Sequence, residues 1–310
     1  MRTLICGSLA YDSIMVFQDH FKNHILPDKI HMLNVSFLVP EMRREYGGCA
    51  GNIAYNLKLL GGDPVIMATV GDDFGVYAER LDRQGITRES VQHVLGTYTA
   101  QAFITTDLSD NQITAFHPGA MNFSHLNDAG KARDVELAIV APDGRDGMLN
   151  HCRQLHAEGV PFVFDPGQGM PLFDGGELLE MVRRADYVTL NDYEAELLMA
   201  RTGLALEAMA AMVKCLVVTR GEYGARFYAD GRMIEVPVVK AAQVLDPTGC
   251  GDAFRAGFLY GIAQGWDWEK TGRLANLMGA IKIEHRGGQN HTPTRAEIAA
   301  RFLASFGAPL

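Results

Sequence analysis

The sequence predicts an α/β protein: a central, mostly parallel sheet with helices on both faces, plus a small β-sheet lid. Short apolar runs of strand length alternate with amphipathic runs of helical spacing along most of the chain. Turns rich in glycine and acidic residues recur after those apolar runs, where an open parallel sheet gathers its ligands. Two stretches, about 14–46 and 97–118, break the rhythm and are assigned to the lid. The organisation expected is a single α/β domain over 1–310 with that lid as a subdomain.

TLICG near the N-terminus reads as a buried strand, and YDSIMVF continues it, with Asp12 near the strand's end. Residues 18–46 are polar, contain Pro27 and Pro40, and include SFLV at 36–39, a strand-like piece. RRE at 43–45 reads as a solvated surface turn. After GGCAGN at 47–52, the spacing predicts a helix over about 52–60, closed by a glycine pair. The βα units follow: PVIMATV with a helix at 75–84, ELAIVA with 146–157, VPFVFD with 175–184, DYVTLN with 192–201, then CLVVT. Residues 97–117 read as a hairpin turning at DLSDN. From 251 to 306 the chain is largely helical, interrupted by RGGQNHTP.

With 310 residues and 47% hydrophobic content the chain can bury a substantial core. The net charge of −9 has the wrong sign for a general nucleic-acid binder, so a phosphate ligand must be held by local geometry. The N-terminus reads as neither signal peptide nor membrane span, and five scattered cysteines without a C-x-x-C pair fit a reducing cytoplasm. Neither a Walker A loop nor a protein-kinase H-R-D or D-F-G set occurs, and the first strand is not followed by G-x-G-x-x-G.

DPTGCGDAF at 246–254 places bare backbone where a helix begins near Gly251, an anion site made of free N–H groups and the positive end of a helix dipole. NDYE at 191–194 follows a strand and opens a helix: Asn191 can serve phosphate or a hydrated metal, and Glu194 can hold Mg²⁺ through its water shell, or the pair can be a plain helix cap. TRGEYG at 219–224 fits a tight strand-to-strand turn or a backbone brought close to a nucleotide, with Arg220 beside it.

GGCAGNIAYNLKLLGG and DPTGCGDAFRAGFLYG together make the chain resemble the ribokinase (PfkB-type) family of small-molecule kinases over nearly its whole length. GSLAYDSIM, LPDKIHMLNVSFLV and FHPGAMNFS bring it nearest to the bacterial adenosine kinases of that family. The resemblance implies a ribokinase-like fold and ATP-dependent phosphorylation of adenosine at its 5′-hydroxyl, with another nucleoside, or a sugar such as ribose or fructose, as alternative acceptors. A binding protein without turnover is the alternative from another class.

In that reading Asp252 is the base, weak because a helix N-terminus keeps it ionised, and the N–H groups of Gly249, Cys250 and Gly251 form the anion hole. Asp12 takes the ribose hydroxyls, with Gly48 and Asn52 beside it, Ser8 and Ser36 as further partners, and Phe116 stacking on the base. Similar enzymes carry phenylalanine where Ala102 stands, and Phe103 faces the other side of the strand. ATP lies across Thr219, Arg220, Gly221 and Gly224, with Asn276 at its adenine, and Mg²⁺ sits by Asn191 and Glu194. A monovalent cation, usually potassium, is implied among carbonyl oxygens near Asp246, Thr248 and the 283–290 turn. The Cys250 thiolate should be favoured by the helix dipole, so thiol reagents should inhibit and ATP protect. A homodimer through the lid is expected.

Overall fold

The computed structural model describes residues 1–25, 34–109 and 111–310. Part of the LPDKIHMLNVSFLV segment, and Asp110 in the DLSDN turn, lie outside the described residues. The apolar runs become strands β1 (Arg2–Cys6), β4 (Asp63–Val70), β8 (Leu137–Val140), β9 (Phe162–Phe164), β10 (Tyr187–Asn191) and β11 (Cys215–Thr219). They join β5 (Thr87–His93), β12 (Ala225–Ala229) and β13 (Arg232–Val236) in one sheet of order β13-β12-β11-β10-β9-β8-β1-β4-β5. Pairing is parallel from β5 to β11, and β12 and β13 return antiparallel at the edge. β5 was not anticipated: its sequence, TRESVQH, is polar because this edge strand is only partly buried.

Successive side chains of a strand face opposite ways, and the core divides accordingly. Ile5, Ile66 and Ile139 pack with α1 (Cys49–Leu59), α2 (Gly75–Arg83), α7 (Cys250–Ala263), α8 (Trp268–Ile283) and α9 (Arg295–Phe306). Leu4, Cys6 and Val140 pack on the other face with α3 (Arg145–Ala157), α4 (Gly175–Arg184), α5 (Asp192–Thr202) and α6 (Leu206–Ala210). Each such buried side chain contributes about 1.5–3 kcal/mol, and this apolar core supports the polar cluster described below.

A second sheet, of order β3-β2-β6-β7, combines β2 (Ala10–Val16), β3 (Glu41–Gly47) and the hairpin β6 (Ala100–Thr106) and β7 (Gln112–His117). Four local expectations are corrected. Asp12 is not at the end of the first strand: Gly7–Leu9 carries the chain out of the large sheet, and Asp12 lies within β2. SFLV is not a strand; the partner of β2 is EMRREYG, a polar sequence suited to an edge strand with one wet face. RRE is therefore not a surface turn: Arg44 lies over the Tyr11 ring at 3.6 Å, and Glu45 accepts a hydrogen bond from Asn290 at 2.7 Å. The GGCAGN helix also starts earlier than its spacing suggested, at Cys49, because Ser8 Oγ and Ser8 O accept the N–H groups of Cys49 and Ala50.

Candidate active site

One cavity of about 1780 Å³ runs along the carboxyl ends of the parallel strands and under the small sheet. This exceeds the usual ~300–1,000 Å³ of a single-ligand pocket and gives room for two ligands side by side. Ser8, Asp143, Asp165, Asn191 and Thr219 line it from just after or at the ends of β1, β8, β9, β10 and β11.

α7 opens at the cavity floor. Gly249, its N-cap, has φ 77°, a left-handed conformation that folds the 246–249 loop back onto the helix start. The N–H groups of Gly249 and Gly251 have no backbone acceptor, whereas Cys250 N donates to Pro247 O at 3.1 Å. Two free donors therefore remain from the three residues expected to form the anion hole. Asp252 follows one residue on, and its Oδ2 accepts from Asn52 Nδ2 at 2.8 Å. Asn52 is fixed in turn: its Oδ1 accepts from Gln289 Nε2 at 3.1 Å, Gln289 also donates to Tyr77 Oη at 2.7 Å, and Tyr77 donates to Gly47 O at 2.8 Å. Gly48, with φ 84°, places the start of α1 against Ser8, and a Cβ there would lie 2.5 Å from Ser8 O.

Burial is the largest influence on both ionisable groups of this turn. It raises the Asp252 carboxyl to about 6, against the lowering effects of Arg255 and the Asn52 hydrogen bond. Asp252 is a stronger base than its position in the sequence implied. Burial likewise pushes the Cys250 thiol up to about 11, with Lys282 opposing, so the expected thiolate does not form at neutral pH. Behind Asp252, Arg255 Nη2 donates to Asp165 Oδ1 at 2.6 Å and stands 3.9 Å from Glu194.

The other end of the cavity is made by the small sheet. Asp12, Ala102 and Phe116 lie opposite one another on β2, β6 and β7, forming a row across three strands on the cavity face. Phe103 is on the outer face, 42% exposed, and does not replace the missing aromatic at Ala102. The Asp12 carboxylate has no hydrogen-bond partner among the described residues; burial, with Glu45 and Asp246 nearby, raises it to about 6. Gly48, Asn52 and Ser8 also line the cavity. Ser36 is exposed and does not line the cavity, since its segment is not a strand of the small sheet.

Asn191 and Glu194 form a capping box at the start of α5: Glu194 N donates to Asn191 Oδ1 at 2.7 Å and Asn191 N to Glu194 Oε2 at 2.8 Å. Both also line the cavity, so cap and ligand site coincide here. Thr219, Gly221 and Gly224 line the cavity, but Arg220 is turned away to Glu235, 3.5 Å, and Tyr223 O, 3.3 Å. Asn276 commits its amide N–H groups to Val236 O and Pro237 O and can offer only its carbonyl to a ligand, a fit for an exocyclic amine. Thr248 lines the cavity, while Asp246 accepts through its carboxylate from Thr248 N at 2.9 Å and Gly287 N at 2.8 Å.

Sequence reasoning missed Asp143, Asp165, Arg255 and Gln289. Asp165 ends VPFVFD at the carboxyl edge of a strand, which was signal enough; Gln289 sits in an unremarkable turn and gave none. Asp143 is buried with one carboxyl oxygen unpartnered, and burial raises it to about 8.

The profile described as pfkB family carbohydrate kinase matches residues 9–295. This chain belongs to that family. The structure of Burkholderia thailandensis nucleoside kinase in complex with inosine is 56% identical, covers 99% of each chain and superposes with a TM-score of 0.91. The same enzyme in complex with ADP-inosine gives 57% identity, 99% and 97% coverage and a TM-score of 0.88. The nucleoside kinase of Methanocaldococcus jannaschii is 31% identical over 272 residues, 87% of this chain and 89% of the relative. This PfkB-family chain thus has the ribokinase-like fold throughout. Among the described residues no helix is long and apolar enough to cross a membrane.

Proposed function

We propose that the protein is an ATP-dependent nucleoside kinase that phosphorylates the 5′-hydroxyl of purine nucleosides, adenosine giving AMP and inosine giving IMP. The observation that carries this reading is the pairing, within one cavity, of Asp252 beside the free N–H groups of Gly249 and Gly251 with an unpartnered Asp12 in a row with Ala102 and Phe116. Relatives named as nucleoside kinases, one with inosine bound, support the acceptor class. The Asp12 carboxylate would accept from ribose hydroxyls, and Phe116 would cover the base, with the small side chain at Ala102 leaving width for either purine.

Asp252, held by Asn52, aligns the acceptor hydroxyl and takes its proton as the bond to phosphorus forms. Gly249 and Gly251 donate to the transferring phosphoryl group, where the positive end of α7 adds to them. Arg255 keeps Asp165 and Glu194 from repelling the phosphates. Thr219, Gly221, Gly224 and the Asn276 carbonyl would bound the nucleotide, and Asn191 with Glu194 would hold hydrated magnesium, which neutralises phosphate charge when bound. The small sheet would close over both ligands and exclude water. Its outer face, with Phe103 and Ile113 42% and 44% exposed, is the proposed homodimer surface.

Product formation from ATP and Mg²⁺ with adenosine, inosine, guanosine, ribose and fructose in parallel tests the assignment, with Asp252→Asn as control. Nucleoside monophosphates should form fastest and vanish in the variant. Faster phosphorylation of ribose or fructose overturns the acceptor, and ligand binding without turnover overturns the enzyme reading.

A further inference from the structure

A monovalent cation, implied by family resemblance near Asp246, Thr248 and the 283–290 turn, does not fit this chain. Two of the carbonyl oxygens in that region are already engaged by a cation of the chain's own. Lys282, in the last turn of α8, is fully buried, and its Nζ donates to Asp246 O at 2.8 Å and to His285 O at 3.0 Å. A potassium ion placed there would compete with an ammonium for the same oxygens and be repelled by it.

We propose that Lys282 is a built-in replacement for the monovalent cation, so that phosphoryl transfer in this protein runs without potassium. A lysine is almost never fully buried without partners, and this one has oxygen partners of the kind that coordinate an alkali cation. What it joins matters as much as what it touches. Asp246 begins the loop that leads into α7, and His285 begins the turn after α8, which carries Gln289 toward Asn52. The Asp246 carboxylate ties the same two segments from the other side, through Thr248 N and Gly287 N. The ammonium therefore clamps the base of the turn that presents Gly249, Gly251 and Asp252. A Cβ built on Gly249 would lie 3.7 Å from Lys282 Cε, which shows how near the lysine stem runs to the anion hole. Burial lowers the Lys282 ammonium from its usual value, and the carboxylates of Asp246 and Asp252 facing it oppose that shift. Being covalently attached, this charge is present at every salt concentration and has no ion to recruit. Lys282 is a positioning residue: it touches the loop rather than the reacting atoms.

The kinetic part of the test rests on the kinase reading; the thermal part does not. Initial rates and unfolding midpoints are measured for the wild type and for Lys282→Ala in tetramethylammonium, sodium and potassium chlorides at equal ionic strength. The wild type should show the same kcat and midpoint in all three salts, within about twofold in rate. Lys282→Ala should lose about tenfold or more in kcat through misplacement of the α7 turn, with KM for the nucleoside little changed. Potassium should restore part of that loss and raise the variant's midpoint, while tetramethylammonium does neither. A wild type activated about tenfold by potassium, or with a midpoint raised specifically by it, overturns the proposal. A Lys282→Ala protein that is fully active and indifferent to all three salts overturns it as well. If that variant does not fold, the wild-type arm decides alone.

Discussion

Among the carboxylates that line the cavity, Asp252 and Asp12 share a shifted acidity and differ in everything that holds them. Burial raises each to about 6. Asp252 is fixed by Asn52, then Gln289, then Tyr77, a chain of hydrogen bonds that reaches from α7 to the backbone of Gly47. Asp12 stands on a strand of the small sheet, and its carboxylate has no hydrogen-bond partner among the described residues. A group that must meet a reacting atom at a set distance is built rigid, and a group that must receive a ligand keeps its acceptors free.

Substitution should separate the two. Asp252→Asn should lower kcat by about 10²–10⁴ with nucleoside binding kept, as read by kinetics beside calorimetry. An equal loss of binding would erase the distinction. Asp12→Ala should instead raise KM for the nucleoside by about 10–100-fold, the effect of losing hydrogen bonds to a charged group, with kcat little changed.

The shared acidity gives the next test. Both groups are raised above the ordinary carboxylate value of about 3.9, so between about pH 4 and 6 the folded state binds protons that the unfolded state has released. Their contribution to stability is complete below about pH 4 and is lost as pH rises through about 6, on the order of 3 kcal/mol for each group. Activity should move the other way, with kcat/KM rising through about 6 as the base ionises. The ligand-free midpoint of Asp252→Asn should fall less over this range than that of the wild type; an equal fall would remove Asp252 as a cause. Smallest of all, Phe116→Ala should raise nucleoside KM by about 2–10-fold, while Phe103→Ala, on the outer face, leaves it unchanged. Similar effects at both would place the base elsewhere.

The same contrast governs what the sequence made legible. The large sheet and its helices followed from buried apolar runs, because a strand covered on both faces has no alternative composition. The α7 turn, GGCAGN and NDYE were visible because glycine and capping acids have few other uses in such positions. The small sheet was harder: β3 is EMRREYG, whose polar face gives no apolar alternation, and SFLV attracted the assignment by propensity alone. Cys250 and Asp252 were misjudged because the helix dipole can be read from position while burial cannot. Arg220 was assigned by its neighbours, but a strand edge turned it toward Glu235. Lys282 gave no sign at all, since a lysine in the last turn of a helix looks like an ordinary partner for the dipole.

β1, the first segment of the chain, sits inside the large sheet between β4 and β8, its Thr3 paired with both Pro64 and Leu137. During synthesis RTLIC must therefore wait, one apolar edge open, until Leu137–Val140 has left the ribosome, a delay on the order of ten seconds at ordinary elongation rates. The nascent chain passes through an aggregation-exposed interval between those two strands, and the hydrogen-bond chain that holds Asp252 closes only when Gln289 has emerged.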